Sequence, residues 1–216
     1  IDGSPSKIFQ VFVESPLIWG IHVAQDSSFK DLNSLKGQRA AISRYGSGSH
    51  LMAYVNAMKL KWNTASNLEF KVVKDLNGAV ESLSNKKADY FMWEKFTTKP
   101  FVDQKIFRRL GDCLTPWPCF VIAVRDEFII NEKETLQIIL KTINTITTSF
   151  KEILEIDRII SERYQQKNED VKEWLKLTEW SQKNIDPNTV EAVQNQLLQL
   201  NIISEKWTYS QLVTTL

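Results

Sequence analysis

The chain has 216 residues, room for one large domain or two small lobes. Its 27 Lys and Arg face 26 Asp and Glu, a net charge of +1, so it lacks the basic excess that displaces counterions from phosphates, and no nucleic-acid partner is expected. With 43% hydrophobic and 25% charged residues it has the composition of an ordinary globular protein. No apolar run approaches the roughly 18 residues that span a bilayer, so no transmembrane segment is expected.

The first residue is Ile1, and no basic segment followed by an apolar one precedes the fold. Either a leader has been removed or the chain begins partway through a larger protein. Strand-like runs then alternate with helical ones. Lys7–Glu14 is β-rich and stops at Ser15-Pro16, where proline removes a ladder donor. Trp19–Ala24 is a second short strand. Phe29–Leu35 fits a helical turn or two closed by Gly37, and Arg39–Ser43 suits a buried parallel strand.

The segment Arg44-Tyr45-Gly46-Ser47-Gly48-Ser49-His50 follows, and then an amphipathic helix over Leu51–Leu60 with Leu51, Tyr54, Val55 and Met58 on one face. Glu69–Val73 is a strand, and Asp75–Lys86 a helix that turns Leu76, Ala79, Val80 and Leu83 inward. Ala88–Trp93 and the short Phe107–Leu110 are strands. Pro116 and Pro118 bracket Trp117 before the apolar strand Cys119–Val124. This alternation predicts an α/β fold with a mostly parallel sheet.

Beyond Asp126 the pattern is helical: Thr135–Phe150, Ile153–Tyr164, Val171–Trp180, and a last helix opened by Asp186-Pro187 that runs to about Leu200. The stripe Leu136, Ile139, Ile143 and Ile146 reads as core.

Chemistry concentrates where strand Arg39–Ser43 hands over to its helix, the place where open α/β sheets keep ligand crevices. The Tyr45–His50 loop offers two glycines for close backbone approach, the hydroxyls of Ser47 and Ser49, and the amides of a first helical turn, a cradle for an anion or polar headgroup. It matches no phosphate-binding, dinucleotide or nucleophile-elbow motif. The alternative is structural: Ser49 is an N-cap and the glycines make a turn. Trp93-Glu94 ends a strand at the same carboxyl edge. Trp93 either stacks on a planar ligand or covers the sheet edge, and Glu94 either accepts a ligand hydrogen bond or starts the next helix. Trp117 is either a cleft wall or a packing wedge.

Two cysteines, Cys113 and Cys119, and two histidines, His22 and His50, make no zinc site and no disulfide framework. Whether the cysteines bridge each other is left open. No catalytic set emerges, so no catalytic residue, metal or cofactor is expected.

Four segments in order carry a resemblance: SFKDLNSLKGQRAAISRYGSGSHLMAYVNAM, AVESLSNKKADYFMWEKF, PCFVIAVRDEFIINEKETLQIILKTI and DPNTVEAVQNQLLQLNIISEKWTYSQLV. From about Phe12 to its end the chain resembles the solute-binding proteins of ABC importers, in the branch for nitrate, sulfonate, taurine and thiamine-pyrimidine precursors. The resemblance implies a periplasmic-binding-protein-like type II fold, with two lobes of parallel-dominated sheets and C-terminal helices. A complete lobe two would lie at 27–115. Residues 1–26 and 116–216 would supply hinge strands (Trp19–Gln25 and Cys119–Arg125) and the helical part of lobe one. The family opens with roughly 80–100 residues of lobe one that have no counterpart here, so an incomplete first lobe is expected.

The same resemblance implies a small-molecule ligand clamped between lobes, an ABC permease as partner, and the periplasm or cell surface as location, or the cytosol for a fungal relative. It turns the Gly46–His50 loop, Trp93 and Glu94 toward the cleft and sets Ser15 beside the hinge. With Trp19, Trp93 and Trp117 the ligand reads as planar, such as a pyrimidine. The loop alone suits sulfonate, nitrate or carboxylate equally. Two other classes share the architecture: the effector domain of a LysR-type regulator, and pyrimidine-synthesising enzymes, whose cysteine-rich motif is missing here.

Overall fold

The computed structural model describes residues 4–215. The chain divides into two units: residues 17–115, and the residues up to 16 together with those from 116 onward. The boundaries fall at Pro16 and Pro116, so the chain passes between the units twice.

The first strand, β1 (Ser6–Val13), belongs to the discontinuous unit. The continuous unit contains β2 (Ile18–Ala24), β3 (Arg39–Ile42), α1 (Gly48–Lys59), β4 (Glu69–Val72), α2 (Leu76–Ser84), β5 (Tyr90–Glu94), the short α3 (Lys99–Asp103) and β6 (Phe107–Leu114). Its five-stranded sheet has the order β4-β3-β5-β2-β6. β3 pairs in parallel with both β4 and β5, while β2 pairs antiparallel with β5 and β6. Four strands therefore share one direction and β2 alone runs against them, so the sheet is mixed. Trp19–Gln25, expected as a hinge strand, lies inside this unit with β2 between two partners.

The crossovers from β3 to β4 and from β4 to β5 step in opposite directions across the sheet. Right-handed connections then place α1 and α2 on opposite faces. On the α2 face, Ala79 and Leu83 pack with Ala41, Ala88, Phe91 and Phe107, with Leu76 and Val80 against them as the periodicity predicts. On the other face α1 buries Met52, Ala53, Val55, Asn56 and Ala57. The face expected from Leu51, Tyr54, Val55 and Met58 is rotated, because a buried Asn56 reads as solvent-facing in an apolar pattern. At the opposite end of β3 the Arg39 guanidinium grips Asp89 through Nε (2.8 Å) and Nη2 (3.0 Å), and the Arg39 N–H donates to the same carboxylate at 2.9 Å.

In the other unit β1 pairs antiparallel with β7 (Phe120–Arg125). Helices α4 (Asp126–Asn131), α5 (Lys133–Ser149), α6 (Ile156–Tyr164), α7 (Asn168–Leu177), α8 (Pro187–Gln199) and the short α9 (Tyr209–Leu212) follow. Phe9, Val124, Leu136 and Leu140 form one apolar cluster; Val11, Ile185, Val190 and Val213 form another. α8 begins as its sequence predicts, with Asp186 Oδ1 accepting the Asn188 and Thr189 N–H groups. Gln10 and Asn144 exchange two amide hydrogen bonds, at 2.8 and 3.1 Å, and so tie β1 to α5.

The stripe on α5 is only partly core. Leu136 and Leu140 are buried, whereas Ile139 and Ile146 are 43% and 51% exposed. Periodicity fixes which residues share a helix face, not what covers that face. No disulfide joins Cys113, which is buried, to Cys119, which is exposed. Among the described residues no helix is long and apolar enough to cross a membrane.

Candidate functional site

At the carboxyl end of β3 the chain must leave the parallel ladder and enter α1 within five residues. Gly46 makes the turn in the left-handed region, at φ +74°. Ser47, not Ser49, is the N-cap: its Oγ accepts the His50 N–H at 3.3 Å, and its carbonyl accepts the Leu51 N–H at 3.0 Å. The helix therefore starts at Gly48, three residues ahead of the expected Leu51. Ser49 ties the loop back to its strand, its Oγ accepting the Ser43 N–H at 3.0 Å and sharing a hydrogen bond with Ser47 Oγ at 3.1 Å.

His50 completes the brace. Its Nδ1 accepts the Gly46 N–H at 3.1 Å, so the neutral ring carries its proton on Nε2. Burial holds its pKa below the usual imidazole value. The ring packs edge-on against Tyr45 (5.2 Å), Tyr54 (5.1 Å) and Phe70 (4.7 Å). Ser47, Ser49 and His50 are all buried, and both hydroxyls and the Nδ1 of His50 are spent on loop geometry. Tyr45, Gly46 and Gly48 are exposed. Among the described residues the Gly48 and Ser49 amide N–H groups meet no hydrogen-bond acceptor, so two donors stand at the positive end of a 12-residue helix.

Gly48 is a glycine for a steric reason. A Cβ there would lie 2.9 Å from Cη2 and 3.2 Å from Cζ2 of Trp19. The half-buried indole of Trp19 thus lies against the start of α1. The same edge of the ring system is pinned, Nε1 donating to Thr115 Oγ1 at 3.2 Å. In the sequence Trp19 was legible as a tryptophan in a short strand and as one of three that suggest a planar ligand; its position on the loop depends on a residue 96 positions away.

Trp93 and Glu94 end β5 at the same carboxyl edge. The pairing Ala41↔Phe91 brings Trp93 level with the residues that follow β3. Trp93, however, stacks on Phe91 at 5.3 Å and 23° and packs on the α2-face cluster. Its ring and the α1 loop are therefore on opposite faces of the sheet. The Glu94 carboxylate caps its own turn, accepting the Phe96 N–H at 3.0 Å, the Thr97 N–H at 2.6 Å and the Thr97 hydroxyl at 2.7 Å. Ser15 and Trp117 belong to the other unit, where Ser15 Oγ accepts the Glu179 N–H at 3.0 Å and Trp117 is half-buried.

A second imidazole, His22, is fully buried in β2 and shares a 3.0 Å hydrogen bond between Nε2 and the buried Thr98 hydroxyl. Desolvation lowers its pKa to about 4, and solvent does not reach the pair. Among the described residues no cluster of three or more His, Cys, Asp or Glu is placed to hold a metal ion.

The family model described as Ca3427-like PBP matches residues 19–113, nearly the whole of the continuous unit. No curated protein sequence matches the chain. Among solved structures, the Candida albicans CA3427 gene product, described as having the generic periplasmic-binding-protein fold, is 25% identical; the match covers 95% of this chain and 69% of that one, at a TM-score of 0.84. The alkanesulfonate-binding protein SsuA from Xanthomonas axonopodis pv. citri, bound to MOPS, is 12% identical over 100% of this chain and 75% of its own, at 0.82. A ligand-binding component of an ABC-type import system from Staphylococcus aureus, with zinc bound, is 15% identical over 99% and 73%, at 0.75.

Proposed function

Since the chain has a periplasmic-binding-protein fold of the SsuA type, we propose that it is the solute-binding component of an ABC importer and that it takes a small organic anion of the sulfonate class. One observation carries the reading: the two unengaged amides of Gly48 and Ser49 stand at the N-terminus of α1, where the indole of Trp19 lies against Gly48. Oriented N–H donors with the positive end of the helix dipole suit a sulfonate, nitrate or carboxylate oxygen, and an indole suits a ligand with an apolar body rather than a bare ion. The braced Ser47–Ser49–His50 loop supports binding without reorganisation, and the binding proteins among its structural neighbours support a ligand held and released unchanged. In this reading the partner is a membrane permease, and the protein works in the periplasm or at the cell surface.

The test is a thermal-shift and calorimetric panel of propanesulfonate, taurine, MOPS, nitrate and a 4-aminopyrimidine. A ligand present at 100 times its dissociation constant stabilises the protein by about 2.7 kcal/mol, a midpoint rise of about 5–10 °C for a protein of this size. A rise with the sulfonates and not with the neutral pyrimidine supports the reading. A rise with the pyrimidine alone, or with none of the five, defeats it.

A further inference from the structure

The geometry points to Trp19 as the positioning residue of the α1 amide site, coupling it to the two segments where the chain enters and leaves the continuous unit. The functional meaning of this coupling rests on the reading above; its physical content does not.

The chain enters the unit at Leu17 and leaves it at Thr115. There the two ends are strapped together, the Leu17 carbonyl accepting both the Thr115 N–H at 3.0 Å and the Thr115 hydroxyl at 3.1 Å. With its proton spent on Leu17, the Thr115 oxygen keeps lone pairs for an outside donor. Trp19 Nε1 supplies it at 3.2 Å. Thr115 is buried, so the bond is shielded from water while the indole is in place. The indole is one rigid plate: along one edge its N–H is held by Thr115 and its six-membered ring lies against Gly48. A movement of the ring that shifts one contact shifts the other.

The result is a continuous linkage from the Leu17–Thr115 strap, through one hydroxyl and one ring, to the first residue of α1. By linkage, an anion that fixes the Gly48 and Ser49 amides also favours one setting of the strap, and the strap's setting alters affinity for the anion by the same factor.

The experiment is native-state amide exchange in wild type, Thr115→Val, Thr115→Ser and Trp19→Phe, read at His50 and Leu51. Thr115→Val keeps the volume and removes the hydroxyl. We expect His50 and Leu51 to exchange roughly five-fold faster in Thr115→Val and in Trp19→Phe, the factor that one neutral hydrogen bond is worth. Thr115→Ser restores the wild-type rates, and Phe91 and Met92, central in the sheet, stay unchanged. A merely local role for Thr115 raises exchange at its own N–H and leaves His50 and Leu51 at wild-type rates, which overturns the proposal. If Thr115→Val does not fold, Trp19→Phe decides by the same criterion. A propanesulfonate titration runs beside it. Where the wild type binds, Thr115→Val weakens binding roughly five-fold, and unchanged affinity overturns the coupling. No binding to the wild type defeats the functional reading alone, while the exchange rates still decide the linkage.

Discussion

Replacing Gly48 with alanine tests the contact on which the site is built. Carbon atoms in ordinary contact sit about 3.5–4.0 Å apart, whereas the new methyl would lie 2.9 and 3.2 Å from two ring atoms of Trp19. The ring has little room to yield, because its Nε1 is held by Thr115. Overpacking of this kind costs about 1–3 kcal/mol. Against it stands the helical preference of alanine over glycine, about 1 kcal/mol, so the net effect in the wild type is a loss of about 0–2 kcal/mol. In a Trp19→Ala background the clash is gone and Gly48→Ala becomes stabilising by up to about 1 kcal/mol. The double-mutant cycle should therefore show a coupling of about 1–3 kcal/mol. The assay is denaturant unfolding of the four proteins, followed at amides of β3 and β5 so that it reports this unit alone. Equal stabilisation by Gly48→Ala in both backgrounds would refute the packing argument.

Two further outcomes concern charge. Asp89→Asn should destabilise the continuous unit by about 1–2 kcal/mol, a value reduced from that of a fully buried pair because Arg39 is partly exposed. Burial works to raise the Asp89 pKa, but the Arg39 hydrogen bonds outweigh it and hold the carboxyl below its usual range. Its contribution is therefore complete above about pH 4 and is lost as pH falls through the lower folded value. Asp89→Asn should flatten that acid limb in a plot of unfolding midpoint against pH. The two histidines act at higher pH. Both have folded pKa values lowered by burial, His22 to about 4, so their neutral forms stabilise the fold fully above about pH 6.5. Stability should decline as pH falls from there towards about 4. His50→Phe keeps the ring packing and should make that decline shallower, leaving the part due to His22. An unchanged pH profile in His50→Phe would show that burial of the imidazole does not disfavour its charged form.

Much of the fold is local and therefore legible from the chain itself. The order of strands and helices follows from apolar period, and α8 starts where Asp186 and Pro187 require it. The turn into α1 follows from a glycine that tolerates positive φ and serines that cap, although the pattern alone did not separate Ser47 from Ser49 as the cap. The family resemblance lay in the same local signals taken in order, and the fold it implied is the one the structural matches show. The site is legible only to the level of its loop. Six neighbouring residues, Tyr45 to His50, were marked as a cradle, but the Ser47 and Ser49 hydroxyls and His50 Nδ1 brace the loop, and the Gly48 and Ser49 amides stand at the start of the helix.

What tertiary structure alone decided are the questions of pairing and cover. The reversed direction of β2 depends on β5 and β6, and the exposure of Ile139 and Ile146 depends on what lies over α5. Alternation placed Trp93 and the loop at one sheet edge but gave no means of seeing that they face opposite sides, because the face of a strand residue is set by register with its neighbours. Trp19 reaches Gly48 with β2 paired between β5 and β6 and with Leu17 strapped to Thr115, 98 residues away. Propensity and periodicity act over a few residues, whereas that strap and the indole it holds exist only once the sheet has closed.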